Sequence, residues 1–257
     1  MNFGIGDLSV IPLREQPSEK SEMVSQLLFG EVFEILENRE KWTKVHTYSD
    51  NYIGWINEKQ YQPISSTVYK ELTSMPVICS LLPLALARSE NKNIYISMGS
   101  SLPFFNNNKF MINEEIFQLE EMTLQTEMNN ESICALALCF LNAPYLWGGR
   151  SIFGVDCSGL INVVYKMAGI RLKRDAWQQS EEGILLSFIE ETRPGDIAFF
   201  HNEDGKVIHA GIILEDQRII HASGCVRIDQ IDHFGIYNQT QKKYTHQLRL
   251  LRRVSIA

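Results

Sequence analysis

Cys157 stands in the tetrapeptide Asp156-Cys157-Ser158-Gly159, and Leu160, Val163, Val164 and Met167 follow it at i, i+3, i+4 and i+7 before Gly169. That period predicts a helix over 157–169 with Cys157 in its first turn. Free backbone N–H groups and the positive end of the helix dipole favour a thiolate there. A thiol with an ordinary pKa of about 8.5 is only a few per cent ionised at neutral pH, so a nucleophile also needs a base. His209 lies in the apolar run VIHAGIIL (207–214), followed by the small Ala210 and Gly211, and His221 lies in the next run, RIIHA (218–222). Two such strands, joined by a short turn at 215–218, pair antiparallel and bring the histidines within a residue or two of each other. Gly211 shares a face with His209 and lets another chain come close. A thiol, a base and a second imidazole to fix the base's tautomer are the parts that covalent catalysis by sulfur requires.

Each part alone has a plainer reading. A cysteine at a helix start is more often structural, and a strand histidine more often packs than catalyses. A Cys/His/His zinc site would need further ligands at short paired spacings, and none occurs, so no metal and no cofactor is expected. His46, His201, His233 and His246 read as surface or loop groups, Cys134 and Cys139 as small core residues, and Cys225 as a loop residue.

The elements that must position these groups occupy the second half of the chain. The segment 131–143 is an apolar helix closed by Pro144, and DIAFF (196–200), VIHAGIIL, RIIHA and a late run at 246–254 are strands. Helices followed by an antiparallel sheet give an α+β domain over 131–257. Before it, residues 1–62 carry short aromatic and β-branched runs (26–36, 42–45, 52–56) broken by polar turns, the pattern of a small β-barrel. Residues 66–128 repeat this character less clearly in MPVIC (75–79), NIYISMGSSLPFF (93–105) and KFMINEEIFQLEEM (109–122). The polar run 123–132 reads as a linker, with Asn129, Asn130 or Ser132 available to cap the next helix.

Composition narrows the partners. Of 257 residues, 44% are hydrophobic and 21% charged, the balance of a globular protein. A net charge of −7 without a Lys/Arg run argues against a nucleic-acid surface. No stretch reaches the roughly 20 apolar residues of a membrane span. Five cysteines without a CxxC pair suit a reducing cytosol, and the N-terminus shows no basic and apolar leader. The expectation is a cytoplasmic monomer, or a periplasmic protein if a leader has been removed.

The segments YLWGGRSIFGVDCSGLI (145–161), RPGDIAFF (193–200), HAGIIL (209–214) and IIHASG (219–224) together resemble the NlpC-type cell-wall cysteine peptidases, a papain-like family. QLLFGE, a Trp with alternating neighbours and GWI resemble a bacterial SH3-like domain, with 66–128 as a second, diverged unit. This arrangement is similar to γ-D-glutamyl-L-diamino-acid endopeptidases acting on free murein stem peptides in cell-wall recycling. The resemblance implies Cys157 as nucleophile, His209 as base and His221 as third polar residue. It also implies Tyr145 as an oxyanion donor and Asp156, Ser158 and Asp175 around the substrate's free L-Ala amine. Ala176 follows Asp175 where relatives commonly carry serine, and Tyr52 of the first SH3-like unit is a candidate wall of the pocket. Three alternatives stay open: a hydrolase of intact wall, a non-catalytic wall binder, and an acyl transferase. The third residue of the peptide, diaminopimelate or lysine, is not fixed by sequence.

Overall fold

The computed structural model describes residues 2–121 and 130–254. The chain divides into two compact units, Met1–Thr126 with Trp147–Ile152, and Glu127–Leu146 with Phe153–Ala257. The segment Trp147–Ile152, expected in the C-terminal domain, thus clusters with the N-terminal unit.

In the first unit seven antiparallel strands form one sheet, β1 (Phe3–Gly6), β2 (Val10–Arg14), β3 (Met23–Leu28), β4 (Val32–Arg39), β5 (Trp42–Thr47), β6 (Ile53–Asn57) and β7 (Tyr61–Ile64). Their order is β3-β2-β6-β5-β4-β1-β7. Alternation sends Ile11, Leu13, Val45 and Ile56 inward to join Leu27 and Phe33 in a core. The helix α1 (Ser66–Ser74), capped by Ser65 on the Val68 N–H at 3.2 Å, was not expected from the sequence. Its Val68, Tyr69 and Leu72 pack against the unit's larger core.

A second sheet follows, built from β8 (Leu84–Arg88), β9 (Asn93–Ser97), β10 (Lys109–Ile112) and β11 (Glu115–Leu119) in the order β10-β11-β8-β9. The segment 75–79, expected as a strand, contributes only an isolated bridge from Cys79 to Ser101. Instead of a separate core, Ala85, Ile96, Phe110 and Phe117 join Ile5, Phe29, Val32 and Ile64 of the first sheet. Phe110 and Phe117 stack at 5.1 Å, with Phe29 edge-on to both. The strand β12 (Arg150–Ser151) also belongs here. Arg150, fully buried, reaches both Glu31 oxygens at 2.8 and 2.9 Å and the Gln26 carbonyl at 2.7 Å.

The second unit's α2 spans Asn130–Leu138, so Ser132 lies within the helix; residues 122–129, with most of the polar run 123–132 and the cap candidate Asn129, fall outside the described residues. The helix ends earlier than expected, which leaves Cys139 exposed rather than in the core. After β13 (Gly154–Val155) come α3 (Cys157–Met167), α4 (Ala176–Gln179) and β14 (Ile184–Leu186). The remaining strands are β15 (Ile197–His201), β16 (Val207–Leu214), β17 (Arg218–Ser223), β18 (Cys225–Ile231), β19 (Gly235–Asn238) and β20 (Lys243–Arg253). The sheet order is β14-β20-β15-β16-β17-β18-β19, and β19 also pairs with β20, which closes six strands into a ring. Ala198, Phe200, Ile213, Ile219, Ile231, Ile236 and Leu251 form a core of this sheet. Every residue of α3 is buried, and the helix packs against β16 and β17 with α2 beside it. Cys225, expected in a loop, starts β18 and bridges Pro144.

Candidate active site

Asp156 caps α3 by accepting the Gly159 N–H at 2.6 Å, which fixes where the helix begins and places Cys157 at its first position. A cap carboxylate buried to 5% exposure needs compensation. Arg174 supplies it, with Nη1 and Nη2 at 3.0 and 2.6 Å from the two oxygens and a further bond from Nη1 to Ser158 Oγ at 2.9 Å. Asp156 and Ser158 are thus both held by the same guanidinium.

Cys157 is 7% exposed, and its sulfur receives backbone N–H groups of Ala210 and Ser158. Ala210 directly follows His209, so the sulfur lies against the strand that carries the expected base. Burial, with Asp156 adding to it, pushes the thiol up to about 12 despite the two N–H groups and Arg174. Desolvation thus outweighs the helix end and favours the thiol, where the sequence pointed to a thiolate.

Across the sheet, β16 and β17 pair with Gly211 opposite His221, which sets His209 diagonally two residues away on the same face. A Cβ on Gly211 would lie 2.9 Å from His221 Cβ and 2.7 Å from Ile219 Cδ1, the close approach that the glycine was expected to permit. His209 Nε2 lies 2.9 Å from His221 Nδ1, with the rings at 85°. This leaves Nδ1 of His209 outside the imidazole pair. His221 Nε2 lies 3.1 Å from Asp229 Oδ2 on β18, where His221 pairs with Arg227. Arg227 grips both oxygens of Asp229 at 2.7 and 3.0 Å. Burial opposes ionisation of Asp229, but the bonds from His221 and Arg227 prevail and hold its carboxyl below the usual range.

His246, expected at the surface, lies on β20 and stacks on His209 at 4.1 Å and 22°. Burial first, then His246 and His221, hold His209 well below the ordinary imidazole range, and burial brings His246 down to about 4. The ring nitrogens of His209, His221 and His246 lie within 4.8 Å of one another, close enough for three metal ligands. However, Nε2 of His209 and Nδ1 of His221 already lie at hydrogen-bond distance from each other. The arrangement suits proton sharing better than a shared cation.

Tyr145 is held by its N–H on the Gly224 carbonyl at 3.0 Å. Burial, then the nearby Cys157 and Asp156, raise its phenol to about 12. Asp175 caps the short α4 in a capping box, its own N–H donating to Gln178 Oε1 at 3.2 Å. Tyr52 lies in the first unit, half-buried against that unit's core. The structure brings Cys157, His209, His221, Tyr145, Asp156 and Ser158 into one region. It adds Arg174, Arg227, Asp229 and His246, which sequence reasoning missed. Arg174 stands beside the singled-out Asp175, and Asp229 two residues beyond Arg227 on a strand face; those were the available signals.

Residues 142–249 match the NlpC/P60 family model, and residues 13–60 match the bacterial dipeptidyl-peptidase Sh3 domain. A gamma-D-glutamyl-L-lysine dipeptidyl-peptidase of Bacillus cereus is 26% identical over 238 residues, 82% of this chain and 70% of that protein. The protein of the same name from Bacillus subtilis is 29% identical over 216 residues, 77% of this chain and 71% of its own. Among solved structures, an NlpC/P60 family protein from Bacillus cereus superposes with a TM-score of 0.82 at 20% identity, covering 98% of this chain and 99% of the other.

Proposed function

We propose that this chain, which carries an NlpC/P60 cysteine-peptidase domain with a bacterial SH3 domain ahead of it, cleaves the γ-D-glutamyl–diamino acid bond of free murein stem peptides. The observation that carries the reading is the buried Cys157 at a helix start, against the strand whose His209 is turned onto His221. The names of the two Bacillus relatives, which align along most of this chain, support lysine or a similar diamino acid after the D-Glu.

In this reaction Cys157 attacks the side-chain carbonyl of D-Glu while its thiol proton passes to His209 Nδ1. The Cys157 N–H and the Tyr145 hydroxyl stabilise the oxyanion. Collapse breaks the C–N bond, and the diamino acid leaves with the proton from His209, leaving a γ-glutamyl thioester. Water then gives a proton to His209, attacks the thioester and restores the thiol. His221 keeps the base in its working tautomer. Asp175 is the carboxylate we assign to the free L-Ala ammonium. Asp156, already neutralised by Arg174, keeps Ser158 and the helix end in place.

The test is product mass spectrometry with L-Ala-γ-D-Glu-L-Lys, its diaminopimelate counterpart and intact sacculi. Release of L-Ala-D-Glu from the tripeptides, lost in Cys157→Ala, is expected. Near-wild-type activity of Cys157→Ala would end the peptidase assignment, and efficient release from sacculi would favour a wall hydrolase.

A further inference from the structure

Cys157, His209 and His221 do not by themselves determine which nitrogen carries the proton. If Nδ1 of His209 is to accept the thiol proton, the proton of the neutral ring must sit on Nε2 and donate to His221 Nδ1, 2.9 Å away. His221 Nδ1 must then be bare, so its own proton must sit on Nε2. A neutral histidine with that nitrogen buried needs an acceptor there. Asp229 Oδ2, 3.1 Å away, is placed to provide it.

We propose that Asp229, clamped by Arg227, is a positioning residue that sets the tautomer of His221 and, through it, holds His209 in the form able to accept the Cys157 proton. This deepens the reaction proposed above and rests on it. While ionised the carboxylate can only accept, and each side chain beside it keeps it so. Arg227 donates to both oxygens, at 2.7 and 3.0 Å, and His221 donates the third bond. The same clamp spends part of the carboxylate's basicity on the guanidinium. Asp229 therefore orients His221 without taking its proton. Were the acceptor absent, His221 would gain by carrying its proton on Nδ1. That proton would face the Nε2–H of His209, and His209 would relieve the clash by moving its own proton to Nδ1, where it is no base.

The register supplies the physical means. His221 pairs with Arg227 across β17 and β18, so Asp229 sits diagonally two residues on, within reach of the imidazole's far nitrogen. Asp229 is 8% exposed, where a carboxylate with nothing to accept from would be costly.

A double-mutant cycle tests the assignment. The amide carbonyl introduced by His221→Asn can accept from His209 Nε2–H without a partner at position 229. Asp229→Leu in the wild-type background is expected to lower kcat about 100-fold or more with KM nearly unchanged. In the His221→Asn background the same change should cost less than about threefold. Arg227→Gln, at a side chain 34% exposed and so tolerant of change, is the second probe. It should cost about tenfold beside His221 and nothing in the His221→Asn background.

Imidazole ¹⁵N spectra read the same claim without substrate: the proton on His221 should lie on Nε2 in the wild type and on Nδ1 in Asp229→Leu. Equal losses from Asp229→Leu in both backgrounds, or an unchanged His221 tautomer, would overturn the proposal. If the ¹⁵N spectra change as expected while no γ-D-glutamyl peptide is cleaved by the wild type, the substrate reading fails and the relay stands.

Discussion

At the residue scale, burial works against charge on both the sulfur and the imidazole. Desolvation drives Cys157 up to about 12 and holds His209 well below the ordinary imidazole range, which favours the neutral form of each at pH 7. Carbamidomethylation of Cys157, followed by peptide mass spectrometry, should therefore speed up about tenfold per pH unit between pH 6 and 9 without levelling off. A plateau reached below neutrality would mean a preformed thiolate–imidazolium pair. Arg174 has a structural consequence of its own. It is 1% exposed and bound to a buried Asp156, so Arg174→Met leaves a carboxylate without its cation. A loss of roughly 3–5 kcal/mol in urea unfolding is expected, together with loss of activity, because the same guanidinium holds Ser158 next to Cys157.

At the scale of elements, two glycines set how closely the strands around the histidines approach. Gly211 has room for no side chain against Ile219 and His221, so Gly211→Ala should displace His221 and cut kcat about tenfold or more while the fold survives. Gly235, at φ +141, lies where β19 meets β20, and a Cβ there would come 1.8 Å from the His246 carbonyl oxygen. Gly235→Ala is thus strained both by its backbone and by its neighbour, and a loss of about 2 kcal/mol or more is expected by denaturant titration. The sequence pointed to Gly211 because small residues beside a strand histidine are a local signal. Gly235 carried none, since nothing near it in the chain announces that β20 returns to its side.

For the molecule as a whole, the buried imidazoles tie folding to pH. His246 takes a proton near pH 4 when folded, against about 6.5 in the open chain. Between those values the unfolded chain binds more protons, so stability is complete above pH 6.5 and falls as pH drops towards 4. Discounted for solvent screening of a part-exposed ring, this one group contributes on the order of 1–2 kcal/mol, and His209, shifted the same way, adds to it. Urea unfolding at pH 7 and pH 4.5 should show the loss, and His246→Phe, which keeps a ring over His209, should show less of it. An unchanged difference between the two pH values in that variant would remove His246 from the account.

What the sequence determined by itself was everything set by near neighbours. The stripe from Leu160 to Met167 fixed a helix with Cys157 at its start. The runs around His209 and His221 fixed two strands, and their short turn fixed how the two meet. Only the tertiary structure decided the company these groups keep. Asp229 and His246 reach the histidines because six strands close into a ring, and Arg174 reaches Asp156 across 18 residues of chain. The merging of the two N-terminal sheets into one core was decided at the same level. So was the protonation of Cys157, because desolvation sums over every atom packed around the sulfur, most of them distant in sequence, whereas the helix end that favours a thiolate is local and legible.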